Sequence, residues 1–160
     1  MRSIIIYYSY SGNTRKVAKV LIEFLQEKGS AEYLEIISPS ESESFFGQAR
    51  RAFRHTKAKI DPIKLDLSDY DLICLGTPVW AFGPAPAMNT YLDKCCGLGS
   101  KEVVLFTTYG SGLGNQRCLN YMQDVLAKKG ARDFKKFSIQ QFQVKDREFV
   151  LRTIKELTRL

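Results

Sequence analysis

The chain reads as a doubly wound α/β fold, a parallel sheet covered by helices on both faces. Three observations predict it. Apolar strand-like runs alternate along the chain with stripes at helical spacing. The first run is apolar without a polar alternation, as a strand buried on both faces requires. Glycines close the helical stripes before the next strand begins.

Ser3 to Tyr8 (SIIIYY) is the first strand, rich in β-branched and aromatic residues. Val17, Val20, Leu21, Phe24 and Leu25 follow on one helical face, with Gly29 as the stop. Tyr33 to Ile37 gives a second strand, Tyr70 to Gly76 a third and Val103 to Thr108 a fourth. Met88, Tyr91, Leu92 and Cys95 form a second helical stripe. Cys118, Met122, Val125 and Leu126 form a third, which ends before Gly130. A last strand is expected near Phe134 to Phe142, interrupted by Lys135, Lys136 and two glutamines. Phe149, Val150, Ile154 and Leu157 make the final helical stripe.

With 160 residues, 44% of them hydrophobic, the expectation is one domain over residues 1–160 with a single sheet and two helical layers. No apolar run reaches the ~18 residues of a membrane span. The N-terminal apolar stretch is too short for a signal peptide, so a cytoplasmic protein is expected. The four cysteines include no C-x-x-C pair, and His55 is the sole histidine. A zinc or histidine-rich metal site is therefore not expected, and the cysteines read as packing residues.

The net charge of +7 favours an acidic partner. Ser44 to Lys64 carries the densest basic face: Arg50, Arg51, Arg54, Lys57 and Lys59 opposite Phe45, Phe46, Ala49 and Phe53. It reads either as a solvated helix face or as a docking surface for an acidic redox protein. Nucleic acid is disfavoured, because the aromatic residues fall on the buried stripe and are not interleaved for base stacking.

In such sheets ligands bind beyond the carboxyl ends of the strands, where strand order reverses. The loop after strand one, Ser9-Tyr10-Ser11-Gly12-Asn13-Thr14, leads directly into a helix. A helix N-terminus exposes unpaired amides and about half a positive charge, so this hydroxyl-rich loop suits an anion better than a simple N-cap by Ser11 or Asn13. After strand three, Thr77-Pro78-Val79-Trp80-Ala81-Phe82-Gly83 reads as a stiff loop that offers Trp80 to a flat apolar ring, with Phe82 close by. After strand four, Thr108-Tyr109-Gly110-Ser111-Gly112 leaves free backbone groups for the edge of a heterocycle.

Other phosphate chemistries fit poorly. The G-x-x-x-x-G-K-[ST] pattern is missing, as is a G-x-G-x-x-G fingerprint in the first turn. The first loop has no cysteine nucleophile and no acidic pair for magnesium. Neither crevice loop offers an ordinary general acid, base or nucleophile, so no catalytic side chain is expected and a cofactor must carry the chemistry.

Ser9-Tyr10-Ser11-Gly12-Asn13-Thr14 resembles the T/S-x-T/S-G-N-T phosphate loop of flavodoxins, and Gly76-Thr77-Pro78-Val79-Trp80 resembles their ring-flanking segment after the third strand. The likeness spans essentially the whole chain. It implies a flavodoxin-like, short-chain fold with strand order 2-1-3-4-5 and bound flavin mononucleotide (FMN). Two departures stand out against that family. Flavodoxins of the carrier type are usually acidic, whereas here the net charge is positive and neither Thr77–Leu92 nor Thr107–Asn115 holds a formal charge. Tyr109 also lies earlier than the family's usual stacking tyrosine, which leaves the second ring face less covered.

The resemblance implies an electron-transfer protein that cycles FMN between a reductase and an acceptor. The alternative is an FMN-dependent NAD(P)H oxidoreductase acting on quinone-like substrates. Fewer acids near the ring should make the fully reduced flavin easier to reach than in acidic flavodoxins, by about 1 kcal/mol per removed charge at ~4 Å in water.

Overall fold

A computed structural model describes residues 1–39, 57–110 and 112–158. The strands are β1 (Arg2–Tyr7), β2 (Ser30–Glu35), β3 (Leu72–Trp80), β4 (Gly83–Pro84), β5 (Glu102–Tyr109) and β6 (Asp133–Gln140). The helices are α1 (Asn13–Gln26), α2 (Pro86–Lys94), α3 (Asn115–Ala127) and α4 (Arg147–Thr158). Five parallel strands lie in the order β2-β1-β3-β5-β6. The two-residue β4 folds back antiparallel on β3. Set aside β4, and the expected 2-1-3-4-5 order is the observed one; the sixth strand is the addition.

Strand β1 sits between two neighbours, with Ile5 facing Tyr33 of β2 and Cys74 of β3 in register. Its side chains alternate between two cores. Ile4 and Ile6 pack on the side of Met88, Tyr91, Cys118 and Met122, so α2 and α3 cover that face. Ile5 and Tyr7 pack with Val17, Leu21, Leu25, Val150 and Ile154 beneath α1 and α4. This two-sided burial is why the run is continuously apolar. Each fully buried aliphatic side chain contributes roughly 1.5–3 kcal/mol before conformational entropy is counted.

Three boundaries differ from the sequence expectation. Strand β2 starts at Ser30, not Tyr33, because Ser30 donates its amide to the Met1 carbonyl at 3.1 Å and pairing with β1 begins at once. It is an edge strand, so Ser30 and Glu32 can remain exposed. Strand β6 ends at Gln140, not Phe142; it is the opposite edge, which explains the two lysines. Lys135 pairs with Glu102 at 2.9 Å, and Lys136 donates to Asn120 Oδ1 at 2.9 Å.

The third difference shapes the site. Thr77–Trp80, expected as loop, continues β3, because β5 pairs with it as far as Pro78 opposite Thr108. Val79 and Trp80 then pair with Pro84 and Gly83 in a hairpin. Proline and glycine signalled a loop locally, but the neighbouring strand holds this segment extended.

The helical stripe expected at Phe45 to Phe53, and with it Arg50, Arg51 and Arg54, lies outside the described residues. Lys57 is described: its ammonium pairs with Asp93 at 2.8 Å. That contact holds the Asp93 carboxyl below the usual carboxylate range. Among the described residues, no helix is long and apolar enough to cross a membrane, and no group of three or more metal-ligating side chains occurs.

Candidate functional site

The carboxyl ends of β1, β3 and β5 open into a cavity of about 520 Å³. That volume falls in the range of small-molecule sites. Tyr10 and Ser11 line it from the β1–α1 loop and Asn13 from the start of α1, Pro78 to Ala81 from the end of β3 and the turn after it, and Thr108 to Gly110 from the end of β5 and the residue that follows. Among the described residues, no Asp, Glu, Lys or Arg lines it.

The β1–α1 loop begins with the Tyr8 amide donating to the Gly76 carbonyl at 2.9 Å, which extends the sheet pairing. Gly12 is the N-cap of α1, at φ 86°, where a side chain would be strained. Neither Ser11 nor Asn13 caps the helix: no side chain bonds from the cap position, and the first turn holds no acid. Ser9 Oγ instead accepts from the Arg15 amide at 3.2 Å. Thr14 is buried, its hydroxyl 2.8 Å from that of Thr108. Ser9 and Thr14 therefore shape the loop from within, while Ser11 and Asn13 face the cavity and Tyr10 is half-exposed beside it.

Across the cavity, the Thr77 hydroxyl accepts from the Ala85 amide at 3.1 Å and donates to the Pro78 carbonyl at 3.1 Å. It pins the hairpin and is fully buried. Trp80 is 6% exposed. Tyr8 and Tyr10 meet its ring edge-on, with centroids at 5.9 and 5.5 Å. These contacts fix the indole at the cavity wall. The hairpin turns through Ala81 and Phe82, both at positive φ (46° and 70°). Two-residue hairpin loops favour this left-handed conformation, usually with Asn or Gly, so two ordinary side chains there store strain. Phe82 is 44% exposed, and Gly83 is buried in β4.

The loop after β5 completes the rim. Gln140 Nε2 donates to the Gly110 carbonyl at 3.1 Å, and the Gln141 amide donates to the Tyr109 carbonyl at 2.8 Å. Gly112 adopts φ 79°, and Gly114, at 89°, starts α3 again without a side-chain cap. Ser111 lies outside the described residues. Phe82 rests against Gly114, where a Cβ would come within 2.9 Å of Phe82 Cα.

Gln141 lines the cavity although the sequence offered only the loops after strands one, three and four. The signal was in the topology, because the strand beside β5 must end beside the loop that follows β5. Ala81 also lines the cavity, although nothing in the sequence assigned it a role of its own within the Thr77–Gly83 segment.

Comparison with known proteins follows the same lines. A family model described as NADPH-dependent FMN reductase matches residues 1–143. Flavodoxin 1 from Bacillus cereus is similar in structure with a TM-score of 0.63 and 19% identity, over 99% of this chain and 98% of that one. A flavoprotein from Lactobacillus acidophilus, solved in complex with FMN, gives 0.59 and 22% over 92% and 98%. An NADH:FMN oxidoreductase in its apo form gives 0.66 and 18% over 98% and 88%. These likenesses establish a flavodoxin-like fold. With nine-tenths of its sequence matched by the family model, the chain belongs to the NADPH-dependent FMN reductase family.

Proposed function

We propose that this chain is an FMN-binding, flavodoxin-like electron-transfer protein, cytoplasmic and of one domain, that cycles its flavin between a reductase and an acceptor protein. One observation carries this: a cavity of about 520 Å³, with no charged side chain among its described lining residues, lies between the first turn of α1, whose N-cap Gly12 makes no side-chain bond, and the wall formed by Trp80 and Tyr109. The donor set fits FMN. Ser11, Asn13 and the backbone amides at the start of α1 suit a phosphate monoester, while Trp80, Val79 and Tyr109 offer apolar surface to a flat ring.

When bound, FMN supplies the one- and two-electron redox chemistry. The chain's own residues position and exclude. Thr14, bonded to Thr108, ties the phosphate loop to the end of β5. Thr77 holds the hairpin that carries Trp80. Gly110 and Gln141 place backbone and amide groups along the remaining rim. Among the described lining residues, no side chain offers a carboxylate, imidazole or ammonium for proton transfer to a substrate, which supports a carrier. The net charge of +7 supports an acidic redox partner.

A second function, an FMN-dependent NAD(P)H oxidoreductase for quinone-like substrates, is favoured by the family match and by the exposed Phe82 at the rim. Anaerobic rapid mixing of the FMN-loaded protein with NADPH or NADH separates the two. The carrier leaves flavin absorbance unchanged over seconds; rapid bleaching by either nucleotide assigns the enzyme instead. Failure of the apoprotein to quench FMN fluorescence on titration would overturn both.

A further inference from the structure

We propose that the side-chain amide of Gln141 bonds the polar edge of the flavin ring and, as an uncharged donor, favours the reduced ring. The inference deepens the FMN reading of the cavity and rests on it.

Gln140 and Gln141 follow one another at the end of β6 but are used differently. Gln140 stands opposite Tyr109 in register, and its side chain is spent on the Gly110 carbonyl. Gln141 gives its backbone amide to the Tyr109 carbonyl. Successive carbonyls of the rim are thereby engaged from the end of β6. The Gln141 side chain has no such task. It is exposed, it lines the cavity, and among the described residues its amide makes no hydrogen bond. Its Nε2, Cδ and Oε1 lie 3.5, 3.6 and 3.6 Å from where a Cβ would stand on Gly110. Such near-equal distances set the amide face-on to residue 110, so neither its donor nor its acceptor is turned into the loop.

Place and chemistry agree. Ser11 and Asn13 occupy the α1 end of the cavity, whereas Gln141 stands with Tyr109 and Gly110 at the ring end. A flavin ring is apolar on its faces, but its pyrimidine edge alternates carbonyl oxygens with ring nitrogens, one of them protonated. That edge calls for donors and acceptors once it leaves water. Thr108 has its hydroxyl against that of Thr14, and Tyr10 packs on Trp80. Gln141 brings an unspent carboxamide, which donates and accepts. Reduction adds negative charge along this edge, and charge placed beside it tunes the cofactor. An amide donor favours that added charge; a carboxylate of the same shape opposes it.

The test uses Gln141→Leu, which removes the bonds, and Gln141→Glu, which keeps the shape and adds charge. Both replace an exposed side chain, and thermal unfolding of the apoproteins should show native stability. In fluorescence titrations Gln141→Leu should weaken the binding of oxidised FMN about fivefold. Potentiometry of the FMN-loaded proteins at pH 8 supplies the readout that mere packing would not move. Gln141→Glu should hold reduced relative to oxidised flavin about tenfold less well than the native protein, a drop of about 30 mV in the midpoint of full reduction. Gln141→Leu should shift the midpoint in the same direction by less. A midpoint in Gln141→Glu equal to or above the native one overturns the role of Gln141, as does FMN affinity in Gln141→Leu within about twofold of native. In both cases FMN binding by the native protein stays in place. Native apoprotein that fails to bind FMN overturns the cofactor assignment itself, and the role of Gln141 with it.

Discussion

The hydroxyls of Thr14 and Thr108 meet 2.8 Å apart in the interior, joining the first turn of α1 to the end of β5 across 94 residues of chain. Both side chains are buried, so each hydroxyl depends on the other. Thr14→Val keeps the shape but strands the Thr108 oxygen, at an expected cost of about 1–3 kcal/mol. Thr14→Val/Thr108→Val should cost less than the sum of the two single changes. Urea denaturation of the apoprotein checks both, and strict additivity would show that the contact is not coupled.

Gly76 is required for space, not for backbone freedom. A Cβ there would enter the ring of Phe106, which itself stacks on Phe137 with centroids 5.5 Å apart. Gly76→Ala should destabilise by about 1–3 kcal/mol through overpacking. Adding Phe106→Leu in that background should recover part of the loss, although Phe106→Leu alone is destabilising. Thermal or urea unfolding of the four proteins measures the coupling.

Trp80 has two roles to separate. Its burial against Tyr8 and Tyr10 makes Trp80→Ala a stability lesion as well as a loss at the cavity wall. Trp80→Phe retains an aromatic face. FMN affinity should fall by roughly 1–3 kcal/mol in Trp80→Ala and by less in Trp80→Phe, if stacking holds the ring as it holds bases on aromatic platforms. Identical losses in the two variants would assign the indole to packing.

The cysteines divide sharply. Cys74, Cys95 and Cys118 are buried, and Cys96 is exposed. Burial raises all three interior thiols, that of Cys95 to about 11. A disulfide reagent at pH 8 should therefore titrate one thiol rapidly in the native protein and four in denaturant. The sign for stability follows from the raised values. The native state favours the protonated thiol, so Cys95's contribution is complete below the unfolded value of about 8.5 and is lost as pH climbs towards 11. Urea midpoints should drop over that interval, and Cys95→Ala should flatten the decline.

The class of fold was legible because β1 is buried on both faces and its composition says so. The β1–α1 loop stood out in the sequence because hydroxyls, Gly12 and a helix start coincide within six residues. Individual roles were not. Thr14 and Thr77 look alike in sequence, yet each spends its hydroxyl on a protein partner that only tertiary pairing provides, Thr108 in one case and the Ala85 amide in the other. The extension of β3 past Gly76 was hidden because proline and glycine report local preference, while β5 supplies the pairing that overrides it.

The seat of Phe82 on Gly114 makes two sequence-distant turns one mechanical part. Each side limits what the other tolerates: residue 114 has no room for a methyl while the aromatic backbone leans there, and residues 81 and 82 keep their unusual twist only with that support. Mutational scans taken one position at a time will score all three as intolerant. Joint randomisation is the way to reshape this wall of the crevice, since workable solutions occur in matched sets.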